Sequence, residues 1–157
     1  MKKINFFLLV FIIISCGENV DRKKNKFEYK KIEKKEVRSD KKSKSSVIIL
    51  NSSDLMKFDQ NELRVFEGQK ITLTLNHTGK MSKEIMGHNF VLLKKETNLN
   101  EFAQRAMLAR ENEYIPDGNE TIAYTKMIGG GESDTITFTA PEIGSYTYIC
   151  TFPGHYG

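Results

Sequence analysis

Cysteine is scarce. The 157-residue chain has two, Cys16 and Cys150, too few for a disulfide-dense scaffold. Three prolines and eleven glycines exclude a collagen-like or proline-rich chain. One long apolar run stands out, Ile4 to Ile14, eleven residues with only Asn5 polar. It is shorter than the roughly 20 residues that a membrane-spanning helix needs. The net charge of +4 is unevenly spread: residues 19–46 carry twelve Lys/Arg and five Asp/Glu, residues 47–157 ten and fourteen. The basic excess therefore sits in a stretch with too little apolar surface to fold, and the remainder is mildly acidic. This argues against a nucleic-acid-binding domain, and no nucleic-acid partner is expected. Length, 39% hydrophobic and 28% charged residues fit one globular domain with appendages.

The N-terminus reads as an address. Met1-Lys2-Lys3 and the apolar run form a signal-peptide core over residues 1–15. Ser15-Cys16-Gly17 directly follows and resembles the bacterial lipoprotein box. That resemblance implies cleavage before Cys16, acylation of Cys16 and a lipid anchor in a membrane. Residues 16–46 then form a basic tether whose apolar or aromatic residues, from Asn19 on, are Val20, Phe27, Tyr29, Ile32 and Val37. Such a composition predicts disorder. Its lysines fit two roles, solubility and extension or attraction to anionic head groups or an acidic partner.

From Val47 the pattern changes, and residues 47–157 form the predicted domain. Val47–Leu50, Leu63–Phe66, Ile71–Leu75, His88–Leu93, Thr121–Met127, Thr135–Thr139 and Ser145–Thr151 read as short strands. Gly129-Gly130-Gly131 and Pro141 interrupt them. The expected class is all-β, an antiparallel sandwich. One helix interrupts it: Leu99, Phe102, Ala103, Ala106 and Met107 share a face, with Asn98 and Glu101 placed as a capping box.

Cys150 is the one thiol left once Cys16 is lipidated, so it has no disulfide partner. His155 follows five residues later across Pro153-Gly154, and His88 lies far upstream. One thiolate and two imidazoles make the His₂Cys set of a trigonal copper site. A Cys150/His155 nucleophile pair is the enzymatic rival, but no orienting residue or oxyanion-stabilising group is evident. No phosphate-cradling glycine loop exists, since no helix with Lys-Ser/Thr follows Gly129–Gly131.

Three motifs carry a resemblance: Met86-Gly87-His88-Asn89-Phe90-Val91-Leu92, Thr125-Lys126-Met127-Ile128-Gly129-Gly130-Gly131-Glu132 and Cys150-Thr151-Phe152-Pro153-Gly154-His155. With them, most of residues 47–157 resembles the azurins, members of the cupredoxin (type 1 blue copper) family. The resemblance implies a Greek-key β-sandwich and one bound copper. His88 and His155 would supply imidazoles, Cys150 the thiolate and Gly87 a weak axial carbonyl. Asn89 would tie the ligand loops and, with the Phe152 amide, hydrogen-bond near the sulfur. Met86, Phe152, Pro153 and Gly154 would rim an apolar docking patch around His155. His77 corresponds to a histidine near the site that is not a ligand. Two departures are visible. Ser46 and Gly68 stand where azurins usually have a disulfide. The pattern also places an axial methionine at position 159 and a further strand, so the sequence is expected to be a fragment lacking its terminal strand.

The expected function is one-electron transfer by a monomeric, lipid-anchored copper protein of the bacterial periplasm or cell envelope. It would be a carrier and not an enzyme, and envelope cytochromes or reductases would be its redox partners. The alternative is copper storage or delivery. The six methionines are scattered, without the methionine-rich loops that role predicts.

Overall fold

In the computed structural model, residues 43–156 are described. The signal segment, Cys16 and residues 17–42 of the tether lie outside them. Among the described residues six strands form two three-stranded sheets. The first has the order β1 (Ser45–Ser52), β2 (Lys70–His77), β5 (Ser133–Thr139); the second has β4 (Thr121–Tyr124), β3 (Val91–Leu93), β6 (Tyr148–Ile149). β1 begins two residues before Val47.

Alternation builds the first sheet. Ile71, Leu73 and Leu75 of β2 are fully buried while Thr72 and Thr74 face outward. β5 runs antiparallel to β2, with Ile136 opposite Leu73 and Phe138 opposite Ile71. Leu50, Phe90, Leu92, Ile128 and Ala140 complete the inter-sheet core. Each large apolar side chain so buried stabilises the fold by roughly 1.5–3 kcal/mol. β1 pairs with β2 in parallel, which departs from the expected all-antiparallel sandwich. Period-two alternation is the same for either direction, so it cannot distinguish them.

β3 is buried at all three residues because both of its faces are covered. Leu92 faces the inter-sheet core, while Val91 and Leu93 pack with Phe102 of α2 (Leu99–Leu108), Ile115 and Ile149. The Asn98 side chain accepts the Glu101 amide at 3.3 Å and caps α2 as expected. Phe102, Ala103 and Ala106 are buried, but Met107 is 41% exposed, at the edge of the expected apolar face. A second helix, α1 (Lys83–Met86), was not expected.

Several strands are shorter than the sequence suggests. Leu63–Phe66 is not a strand. Its composition suits one, yet no strand among the described residues lies beside it to complete a ladder. A groove of about 580 Å³ runs there, lined by apolar residues such as Ile48, Leu63, Phe90 and Phe138 and by polar ones such as Asn61, Glu62 and Arg64. The runs Thr121–Met127 and Ser145–Thr151 shrink to β4 and β6.

Candidate metal centre

The β3–β6 register brings the distant motifs together. Val91 faces Ile149 and Leu92 faces Tyr148. Continuing that antiparallel register sets Asn89 opposite Thr151, and their side chains meet. The Asn89 amide oxygen accepts the Thr151 N–H at 2.9 Å and its hydroxyl at 3.1 Å, while Nδ2 lies 2.8 Å from that hydroxyl. Asn89 and Thr151 are both buried. The side chain of Asn89 therefore bridges the segment before β3 and the segment that follows Cys150. The backbone amides of Asn89 and Phe152 partly offset the rise that burial imposes on the Cys150 thiol pKa.

The segment after Cys150 turns back on itself. The His155 amide donates to the Phe152 carbonyl at 3.0 Å. Gly154 has φ +88°, and Pro153 before it suits the i+1 position of a type II turn. The turn places His155 Nδ1 3.6 Å from Cys150 Sγ. Its ring lies 4.6 Å from the His88 ring, centroid to centroid. One donor atom from each of His88, Cys150 and His155 falls within 4.8 Å of the others. The Gly87 carbonyl is 3.8 Å from Sγ. Gly87 is required by close approach: a Cβ there would stand 2.6 Å from the Lys83 carbonyl and 2.9 Å from Met127 Sδ.

Hydrogen bonds fix the tautomers. His88 Nε2 donates to the Ser53 carbonyl at 3.0 Å, which leaves Nδ1 as a bare lone pair. Among the described residues, that Nδ1 is the buried side-chain nitrogen or oxygen without a partner. An unpaired buried acceptor is costly unless something binds it, and this one belongs to the His₂Cys set, so the residues fit a copper ion. His77 differs. Its Nδ1 accepts the Gly79 amide at 3.0 Å and its Nε2 donates to the Met86 carbonyl at 2.8 Å. With both nitrogens engaged, His77 is a buried structural neighbour, its ring edge-on to His88 at 4.9 Å.

Burial shapes the protonation. It holds His88 down at about 4, with His155 adding repulsion, and lowers His155 as well. It pushes the Cys150 thiol up to about 11. The metal-free pocket is thus neutral at pH 7: two imidazoles ready to ligate and a thiol that must release its proton. For His88 the unfolded chain takes up a proton near pH 6.5, where the folded chain still refuses it. Stability therefore falls as pH drops from about 6.5 to about 4, by about 3 kcal/mol from this residue. Urea denaturation of the metal-free chain across that range should show the fall. A His88→Asn chain should lose correspondingly less, and an equal loss would contradict the assignment.

The docking residues need one correction. Phe152 is half-buried, and Pro153 and Gly154 are exposed, but Met86 is 6% exposed and points inward. The exposed apolar side chains on the segments around the site are Leu55, Met56, Met81 and Ile85. They follow no helical or strand period. The Ser53 carbonyl beside His88 has no sequence signal, since any residue can supply one, and Thr151 lies inside the Cys150–His155 motif without its type marking the contact to Asn89.

A buried thiol and two imidazoles at one end of a β-sandwich define a type 1 copper protein. The chain belongs to the plastocyanin/azurin family of copper binding proteins, whose family model matches residues 44–157. It is 38% identical over 109 residues to Azurin-1 of Alcaligenes xylosoxydans xylosoxydans, covering 66% of this chain and 84% of that one. It is 37% identical over 110 residues to outer membrane protein H.8 of Neisseria gonorrhoeae, covering 68% of this chain and 60% of that one. Among solved structures it resembles auracyanin A, a "blue" copper protein of Chloroflexus aurantiacus. The TM-score is 0.64 at 33% identity, covering 71% of this chain and 91% of that one. Fold class and cofactor thus stand as the sequence suggests: a cupredoxin whose cofactor is copper, in a family of electron-transfer proteins.

Proposed function

We propose that this chain is a one-electron carrier of the bacterial cell envelope, held to a membrane by acyl chains on Cys16. The observation that carries the proposal is the His88, Cys150 and His155 set, its first two members buried, with its unpartnered His88 Nδ1. A copper ion held by these residues and the Gly87 carbonyl would supply a Cu(I)/Cu(II) couple. The chain's part is to hold the donors in place. Ser53 orients His88, and the Asn89–Thr151 contact joins the loops. Such outer bonds fix ligand geometry and tune the couple.

The raised Cys150 thiol argues against a nucleophile, which needs a depressed one. His155, half-buried beside exposed Pro153 and Gly154, is the proposed electron port. The apolar docking rim comprises Phe152, Pro153 and Gly154, joined by Leu55, Met56, Met81 and Ile85. A small apolar contact suits brief encounters with envelope cytochromes or reductases. The proposed carrier works as a monomer. Among the described residues no helix is long and apolar enough to cross a membrane; the proposed attachment rests on the Ser15-Cys16-Gly17 motif. The outer-membrane name of the H.8 relative accords with it.

Fractionation tests this reading. The full chain, expressed in a bacterium, should collect in the membrane fraction with a blue colour that bleaches when a reduced c-type cytochrome is added. Cys16→Ala should move the blue protein to the soluble fraction with its bleaching rate unchanged. A soluble parent chain would contradict the anchor, and a colour indifferent to the cytochrome would contradict the carrier role.

A further inference from the structure

His88 is aimed by a backbone carbonyl, and that carbonyl must itself be held. Ser53 lies one residue beyond the end of β1, outside the β1–β2 ladder. The next residue, Asp54, reaches across to a different segment. Its Oδ2 accepts the Lys80 amide at 2.9 Å and its Oδ1 accepts the Met81 amide at 3.2 Å. These amides follow His77, whose Nε2 is 3.9 Å from Asp54 Oδ1. The 79–81 segment is anchored in turn, because the Met81 carbonyl accepts the Gly130 amide at 2.8 Å. The Ile128 backbone next to that anchor pairs with His88 in both directions, at 2.8 and 2.9 Å.

We propose that Asp54 is a positioning residue of the metal centre: its carboxylate clamps the Ser53 loop onto the 79–81 loop and so sets the direction of the His88 ring. Removing the carboxylate frees the Ser53 carbonyl from one of its supports. The His88 Nε2 bond then weakens, and Nδ1 is presented over a wider range of angles. Gly79 belongs to the same device. A Cβ at Gly79 would overlap the Asp54 carboxylate, so alanine there would expel the carboxylate while keeping its charge in the protein. A further consequence is graded: asparagine at 54 retains one acceptor oxygen for one of the two amides, and alanine retains none.

The inference rests on the copper reading, and the test separates the two. Full-length Asp54→Asn, Asp54→Ala and Gly79→Ala chains would be compared with the parent. Hydrogen exchange of the His88 Nε2–H is read by NMR in the metal-free state, and Cu(II) affinity is read by competition with a chelator. Asp54→Ala should exchange at least tenfold faster and bind Cu(II) about tenfold more weakly, the scale expected when a ligand's outer support is lost. Asp54→Asn should fall between it and the parent. Gly79→Ala should shift both readouts the same way. If Asp54→Ala fails to fold, the other two variants carry the test. Exchange and affinity within twofold of the parent in every folded variant would overturn the proposal. So would a parent-like Gly79→Ala beside altered Asp54 variants, since that pattern marks a charge effect alone. A parent chain that binds no copper would overturn the function above, while the metal-free exchange would still judge the clamp.

Discussion

Cys150→Ser should abolish the intense visible absorption of the copper-loaded chain. The band arises from charge transfer between a thiolate and Cu(II), and a hydroxyl is too hard a donor to replace it. Cys150 is 4% exposed, and serine is nearly its isostere, so the fold should remain. The loss is therefore of ligand chemistry, and a circular dichroism spectrum unchanged beside a colourless protein would show it. His88→Ala should disturb the band strongly by removing a donor, but the thiolate would remain. A band that survives Cys150→Ser would place the chromophore elsewhere.

Asn89→Leu should cost stability and copper together. Leucine fills a similar space, but the Thr151 N–H and hydroxyl lose the acceptor that sits 2.9 and 3.1 Å away. Both are buried, and each unsatisfied group costs about 1–3 kcal/mol. A loss of about 2–4 kcal/mol is expected from urea denaturation, against a typical total of about 5–15 kcal/mol. The chain should still fold. Because the same contact joins the His88 and Cys150 loops, copper affinity should fall about tenfold or more. Thr151→Val removes the hydroxyl half of that contact, so the two substitutions should be clearly non-additive. Parent-like stability and affinity in Asn89→Leu would contradict the tie.

Much of this was legible in the sequence for physical reasons. Ile71, Leu73 and Leu75 alternate because β2 has one buried face, and α2 shows its period and its Asn98 cap in a single short segment. The Pro153-Gly154 pair announces a turn that only a positive φ at the second position permits. Cys150 and His155 are neighbours along the chain, so half of the site could be read locally. The rest depends on what lies opposite. Leu63–Phe66 has the composition of a strand, but a ladder needs a partner, and composition does not name one. Met86 belongs to the ligand motif, yet whether its side chain turns in or out is decided by packing around α1. The Ser53 carbonyl is a backbone atom that any residue could supply, so no letter at position 53 marks it. Asp54 became visible only when the amides of Lys80 and Met81 were seen within its reach.

The proposed carrier role requires that this site exchange one electron reversibly while its ligands stay in place. The most direct measurement is a spectroelectrochemical titration of the full chain loaded with copper. One copper per chain is expected, with a visible band that bleaches on reduction. The band should return fully on oxidation and follow a one-electron Nernst curve over repeated cycles, with no copper released. Copper that binds without the band, or that leaves the protein on reduction, would contradict it and mark the chain as a copper-handling protein instead.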